Sequence, residues 1–235
     1  MLPVPFRKSG NAVHLRVRAW RGRVGLGLVA SLSVLAGMTD AIGFLATGDF
    51  ISFMSGNTTR LAVAIGEGNL QSVVRLVGAV LAFVVGNALG IMIGRWGGQR
   101  ALPLMLWIAG LLCAAALVPF DSRAPAMLAA IVAMGMLNAA VEQVNGLPVG
   151  LTYVTGALSR FGRGLGRWLL GERPSGWRVQ LVPWTGMLSG AVIGALLEAR
   201  FGIMALLFSA GFSVVLGLVS LKIPRRWQRD YMPRK

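Results

Sequence analysis

Histidine and cysteine are almost missing from this chain: His14 and Cys113 are the single examples in 235 residues. A His/Cys metal centre has no ligand set to build from, and a disulfide has no second thiol. Cys113 lies inside an apolar run and reads as an inert buried thiol. Charge is scarce too. Only 13% of the residues are charged, against about a quarter in soluble domains. No nucleophile–base pair, metal cluster or phosphate-cradling loop stands out, so an enzyme is the least expected class and no cofactor is expected.

What remains is oil and glycine. Hydrophobic residues make up 55% of the chain, glycines number 32, and mean hydropathy is +0.69. Several apolar runs reach about 18 residues, enough to cross roughly 30 Å of hydrocarbon. This is the composition of a multi-pass membrane protein. The net charge of +15 is concentrated where such proteins keep it. Arg7, Lys8, Arg16, Arg18, Arg21 and Arg23 precede the first run, five arginines lie between Arg160 and Arg178, and six basic residues follow Leu221. Basic segments beside membrane runs predict cytoplasmic placement of both termini and contact with anionic lipid headgroups, not nucleic acid. Val34-Leu35-Ala36 resembles a signal cleavage site. Cutting there would strip the helix that leads into Asp40, so the first span is expected to stay.

In order, residues 1–23 form a basic cytoplasmic tail, 24–222 a single membrane domain, and 223–235 a second basic tail. Spans are expected at about 24–46, 72–94, 101–119, 125–144, 182–198 and 202–221. Two shorter segments, 50–66 and 147–160, are too short and polar to cross comfortably. The expected fold is an all-α membrane bundle of about six full transmembrane helices plus two short broken or re-entrant segments. The 160–178 region is expected to be an arginine-rich loop.

The second half resembles the first. A shift of 98 carries Gly37, Met38 and Asp40 onto Gly135, Met136 and Asn138. A shift of 100 carries Gly56 and Arg60 onto Gly156 and Arg160, and Gly86, Gly90 and Gly94 onto Gly186, Gly190 and Gly194. Two homologous halves, about 24–119 and 125–222, are therefore expected. Repeats of this kind recur in transporters, whose sites lie at the repeat interface beside interrupted helices. The ladders of small residues at every fourth position predict close helix packing, within one chain or between copies in a homo-oligomer.

Polar residues inside such a bundle mark candidate function. Asp40 could carry a proton or bind a cation, with Arg60 to neutralise it; the plainer reading is a structural bond tying the short segment to the first span. Asn57 or Thr58 could cap a helix starting near Gly56, with its free amides aimed at the site. Asn138 and Glu142, four residues apart, would share one helical face. Asp40, Asn57, Thr58, Arg60, Asn138 and Glu142 are thus the candidate substrate-binding or translocation residues.

Gly37-Met38-Thr39-Asp40-Ala41, then Phe50 and Met54-Ser55-Gly56-Asn57-Thr58, resembles the signature of the YoaK-like family of bacterial multi-pass membrane proteins, a domain of unknown function. Ser55 stands where that family more usually has Thr. The resemblance implies a bacterial inner-membrane protein and supplies no substrate, cofactor or mechanism. From the residues themselves, a small-molecule or ion transporter is the leading expectation. A channel-like pore and a non-transport scaffold or lipid-binding protein are the alternatives.

Overall fold

The computed structural model describes residues 10–98, 100–117, 123–139, 143–144, 147–148, 154–173 and 175–224. Within them the chain is almost entirely helical. The helices are α1 (Gly10–Thr47), α2 (Met54–Gly66), α3 (Leu70–Trp96), α4 (Ala101–Leu117), α5 (Arg123–Asn138), α6 (Val154–Leu169), α7 (Leu181–Phe201) and α8 (Leu206–Ser220). Pro103, Pro125 and Pro183 each occupy the first turn of their helix, where a missing N–H breaks no intrahelical bond.

Among the described residues, three apolar stretches are long enough to cross a bilayer: Gly22–Thr47, Leu70–Trp96 and Trp177–Ser220. The last is divided by Gly202, whose φ of 57° ends α7. Ala101–Leu117 and Ala124–Asn138 are shorter apolar helices. Large apolar side chains lie on the outside, among them Leu81 and Val84 on α3 and Val192 and Leu196 on α7. Aliphatic residues set outward along whole helices suit acyl chains rather than water.

Inside, Leu32 and Leu35 of α1 join Leu104, Ile108 and Leu112 of α4, Ile131 and Met134 of α5, and Leu206 of α8 in one core. The bundle is a chain of neighbours. α3 packs on α5, α5 on α4, α4 on α8, α8 on α1, and α1 on α7. α2 lies against α3, and α6 against α7.

Glycine sets the closest approaches. A Cβ at Gly186 would stand 2.8 Å from the Ala30 carbonyl oxygen, and Cβ atoms at Gly190 and Gly194 would collide with the carbonyls of Val34 and Met38. Partners advance together along both helices, so α1 and α7 run parallel. Likewise a Cβ at Gly86 would strike the Val132 carbonyl and one at Gly90 would lie 2.9 Å from the Met136 carbonyl, so α3 and α5 run parallel. Against α4 the order reverses. A Cβ at Gly217 would lie 2.9 Å from a Leu102 methyl carbon, whereas Ser213, one turn earlier in α8, donates its hydroxyl to the Met105 carbonyl. α4 and α8 are antiparallel.

Three expectations change. The 125–144 span ends at Asn138, and Gln143–Val144 instead pairs with Leu147–Pro148 in a two-residue antiparallel ladder. The arginine-rich 160–178 region is no plain loop, because α6 continues to Leu169 and a 3-10 turn covers Trp177–Gln180. Its sequence explains this. Val154, Ala157, Leu158, Phe161, Leu165 and Trp168 recur at helical spacing, with Ser159, Arg163 and Arg167 on another face. Finally, the helix containing the first span begins at Gly10, inside the basic segment.

Candidate functional site: a folded-back segment between α1, α2 and α3

After Thr47 the chain does not continue outward. Gly48 turns it with φ of 79°, and residues 50–53 run back alongside the end of α1. Asp40, well inside α1, receives this segment: its Oδ1 accepts the backbone N–H of Ile51 at 2.8 Å and of Ser52 at 2.7 Å. Ile51 packs over Gly43, where any Cβ would collide with the Ile51 side chain. A segment without helical bonds must find other partners for its backbone in a membrane. The Asp40 carboxylate supplies them, and a charged acceptor bonds amides more strongly than a neutral one.

Asn57 completes the clamp. It is fully buried, accepts the N–H of Phe50 through Oδ1 at 3.1 Å, and donates Nδ2 to the Phe50 carbonyl at 2.6 Å. One carboxamide thus satisfies both backbone groups of one residue, much as a strand neighbour would. Phe50 stacks on Phe44, ring centroids 4.7 Å apart, and meets Phe53 edge-on at 5.3 Å.

Asp49 is wholly buried and bridges two arginines. Arg60 Nη1 of α2 lies 2.9 Å from Oδ1, and Arg75 Nε of α3 lies 2.9 Å from Oδ2. Arg60 also donates to the Gly48 carbonyl. The two arginines stand on opposite walls of a cleft of ≈ 220 Å³ between α2 and α3, lined also by Thr59, Glu67, Ser72 and Leu76.

The sequence-derived candidates separate accordingly. Asp40 and Asn57 converge on residues 50–52, and Arg60 reaches the turn before them. Arg60 does not neutralise Asp40; its partner is Asp49, with Arg75 as the second cation. Asp49 and Arg75 are the residues that sequence reasoning passed over. The signal was two acids in one short polar stretch, with nothing to say which would meet the base. The expected cap is also different. α2 starts at Met54 with Phe53 before it and no side-chain cap, so Asn57 sits one turn inside. Thr58 is exposed, and its hydroxyl donates back to the Met54 carbonyl at 2.8 Å. Asn138 is the last residue of α5, half-buried. Glu142 lies outside the described residues.

A bundle of lipid-facing helices with polar backbone folded into it defines a multi-pass integral membrane protein. The family described as a protein of unknown function (DUF1275) matches residues 28–219, and the chain belongs to that family. The UPF0700 transmembrane protein RA0705 of Rhizobium meliloti (strain 1021) is 50% identical to it over 217 residues, covering 92% of this chain and 95% of that protein. No solved structure matches the chain.

Proposed function

We propose that this protein is a small secondary transporter of the bacterial inner membrane, built from two inverted halves, in which Asp40 couples a proton to movement of the folded-back segment. The single observation that carries this is the Asp40 clamp. One carboxylate oxygen holds the amides of two consecutive residues of a non-helical segment. Protonation would remove the charge that strengthens those bonds and loosen the segment from α1. Carboxylates enclosed within membrane helices are suited to such relays.

The repeat supports an alternating architecture. Gly37 abuts the Met187 carbonyl and lies 3.0 Å, by its notional Cβ, from the Ala191 amide nitrogen. Gly135 abuts the Phe83 carbonyl and lies 3.0 Å from the Asn87 amide nitrogen. A shift of 98 relates the two glycines, and one of 104 relates Phe83 to Met187 and Asn87 to Ala191. These matched contacts support α5 as the counterpart of α1 and α7 as the counterpart of α3. The α3 and α7 ladders align one turn away from the register expected from sequence: Gly90 answers to Gly194, and Gly98 to Gly202, both with positive φ. α2 and α6 end alike as well. Asn69 N–H bonds the Ala64 carbonyl at 2.9 Å beyond left-handed Gly68, and Glu172 N–H bonds the Arg167 carbonyl at 3.0 Å beyond left-handed Gly171.

Helix direction favours six crossings. If α2 and α6 crossed as well, α4 and α8 would run the same way, yet their contacts are antiparallel. Six alternating spans, α1, α3, α4, α5, α7 and α8, leave α2 on the outer side and α6 on the inner. That sets Arg163, Arg167 and Arg178 with the basic tails, beside anionic headgroups. Trp168 and Trp177, ring centroids 6.4 Å apart, suit the same interface.

The test is reconstitution in liposomes with an internal pH dye and a panel of small solutes. Proton flux dependent on one solute is expected for the native chain and should vanish in Asp40→Asn, which keeps an oxygen acceptor for Ile51 and Ser52. Undiminished coupled flux in that variant ends the proposal. Flux that neither saturates nor needs a proton gradient would instead identify a channel.

A further inference from the structure

We propose that the cleft between α2 and α3 binds a small oxyanion, a carboxylate or phosphate group, between Arg60 and Arg75. This deepens the transport reading by naming the chemistry its site would take, although binding can be measured without transport.

Asp49 has no exposed surface, and each of its oxygens forms an ion pair with one arginine at 2.9 Å. Two guanidiniums against the Asp49 carboxylate leave one positive charge, and Glu67 is the other acid that lines the cleft. A guanidinium carries five N–H donors. Arg60 Nη1 donates to the Gly48 carbonyl and stands 2.9 Å from Asp49 Oδ1, and Arg75 Nε stands 2.9 Å from Oδ2. Their side chains remain 39% and 40% exposed, and both line the cleft. Asp49 therefore anchors one nitrogen of each guanidinium, while both partly exposed side chains line the cleft. Planar forks fixed in this way suit carboxylate and phosphate oxygens. Ser72 adds a hydroxyl at the wall, whereas the Thr59 hydroxyl is already donated to the Ser55 carbonyl.

The volume of ≈ 220 Å³ admits a ligand of only a few heavy atoms or one headgroup phosphate. A cation is disfavoured, because the buried acid is out of reach and both arginines would oppose it. Glu67 is the acid on the accessible wall. Its charge opposes an anion in the cleft, so removing it should strengthen binding.

Calorimetry on the full chain in neutral detergent and low-chloride buffer would use inorganic phosphate and acetate as probes. Co-purified phosphatidylglycerol would be measured by mass spectrometry. Saturable binding of a probe is expected, tightened severalfold in Glu67→Gln and weakened at least tenfold in Arg75→Lys. The Lys variant keeps a positive charge near Asp49 but loses the fork. A tightening cannot come from misfolding, so the Glu67 variant guards against that explanation. Retained phosphatidylglycerol that blocks the probes and is held more firmly by Glu67→Gln would support the same site with a lipid phosphate as its source. Absence of probe binding and of retained lipid, or binding indifferent to both substitutions, would overturn the inference. Failure here with Asp40-dependent flux intact sinks only the oxyanion site; binding with flux indifferent to Asp40→Asn sinks only the transport reading.

Discussion

Gly190 of α7 faces the carbonyl oxygen of Val34 in α1 with no room between them for a methyl group. The two backbones meet there directly, as small residues allow where lipid gives no hydrophobic drive for association. Gly190→Val should lower stability by about 1–3 kcal/mol or more, since overpacking must part the helices. Gly94, with open space around its notional Cβ, should accept alanine without loss. Thermal unfolding in detergent compares the two, and equal effects would contradict the packing.

Asp40 is expected to behave differently with substituent. Asp40→Leu strands the buried amides of Ile51 and Ser52, at about 1–3 kcal/mol for each unsatisfied group. Asp40→Asn, with one oxygen acceptor left, should retain most of that. Protease resistance of residues 48–53 in the purified variants reads the difference, and a Leu variant as resistant as the native chain would refute the clamp.

Asn57→Asp is nearly isosteric and should nonetheless destabilise. It replaces the Nδ2 donor with an oxygen facing the Phe50 carbonyl, now bonded at 2.6 Å. A loss on the order of 2 kcal/mol is expected from the lost bond and the opposed oxygens. An unchanged melting midpoint at neutral pH would show that the carboxamide does not hold the segment.

Removal of the shared acid should be felt through both arginines. Asp49→Asn is expected to cost about 1–3 kcal/mol, and far less once Arg60 and Arg75 are both glutamine. A double-mutant cycle measures that coupling. Additive effects would mean that the three side chains do not act together.

Cysteines at Thr47 and Glu67, in a Cys113→Ser background, should be labelled from the same side of the membrane, and one at Glu172 from the other. Labelling of Thr47 and Glu67 from opposite sides would require α2 to cross, contrary to six alternating spans.

By itself the sequence determined that this protein lives in a bilayer and that its polar stretch after α1 is too short and polar to cross comfortably as an ordinary lipid-facing helix. Both follow from transfer free energy, a sum over residues in order that needs no knowledge of their neighbours. It also marked Asp40, Asn57 and Arg60, because polar groups amid apolar runs stand out wherever they end up. Only the tertiary structure decided who meets whom. Arg60 had two acids within reach along the chain, and folding back at Gly48 brought it to Asp49, while the amides of Ile51 and Ser52 took Asp40. Arg75 joined because α3 returns along α2, a contact between turns of different helices that spacing does not encode. The glycine ladders invited packing but not its register, since a stripe with equivalent small residues at every turn fits its partner almost equally well one turn along. The fold took one setting, with the backbone carbonyls of Val34 and Met38 against Gly190 and Gly194.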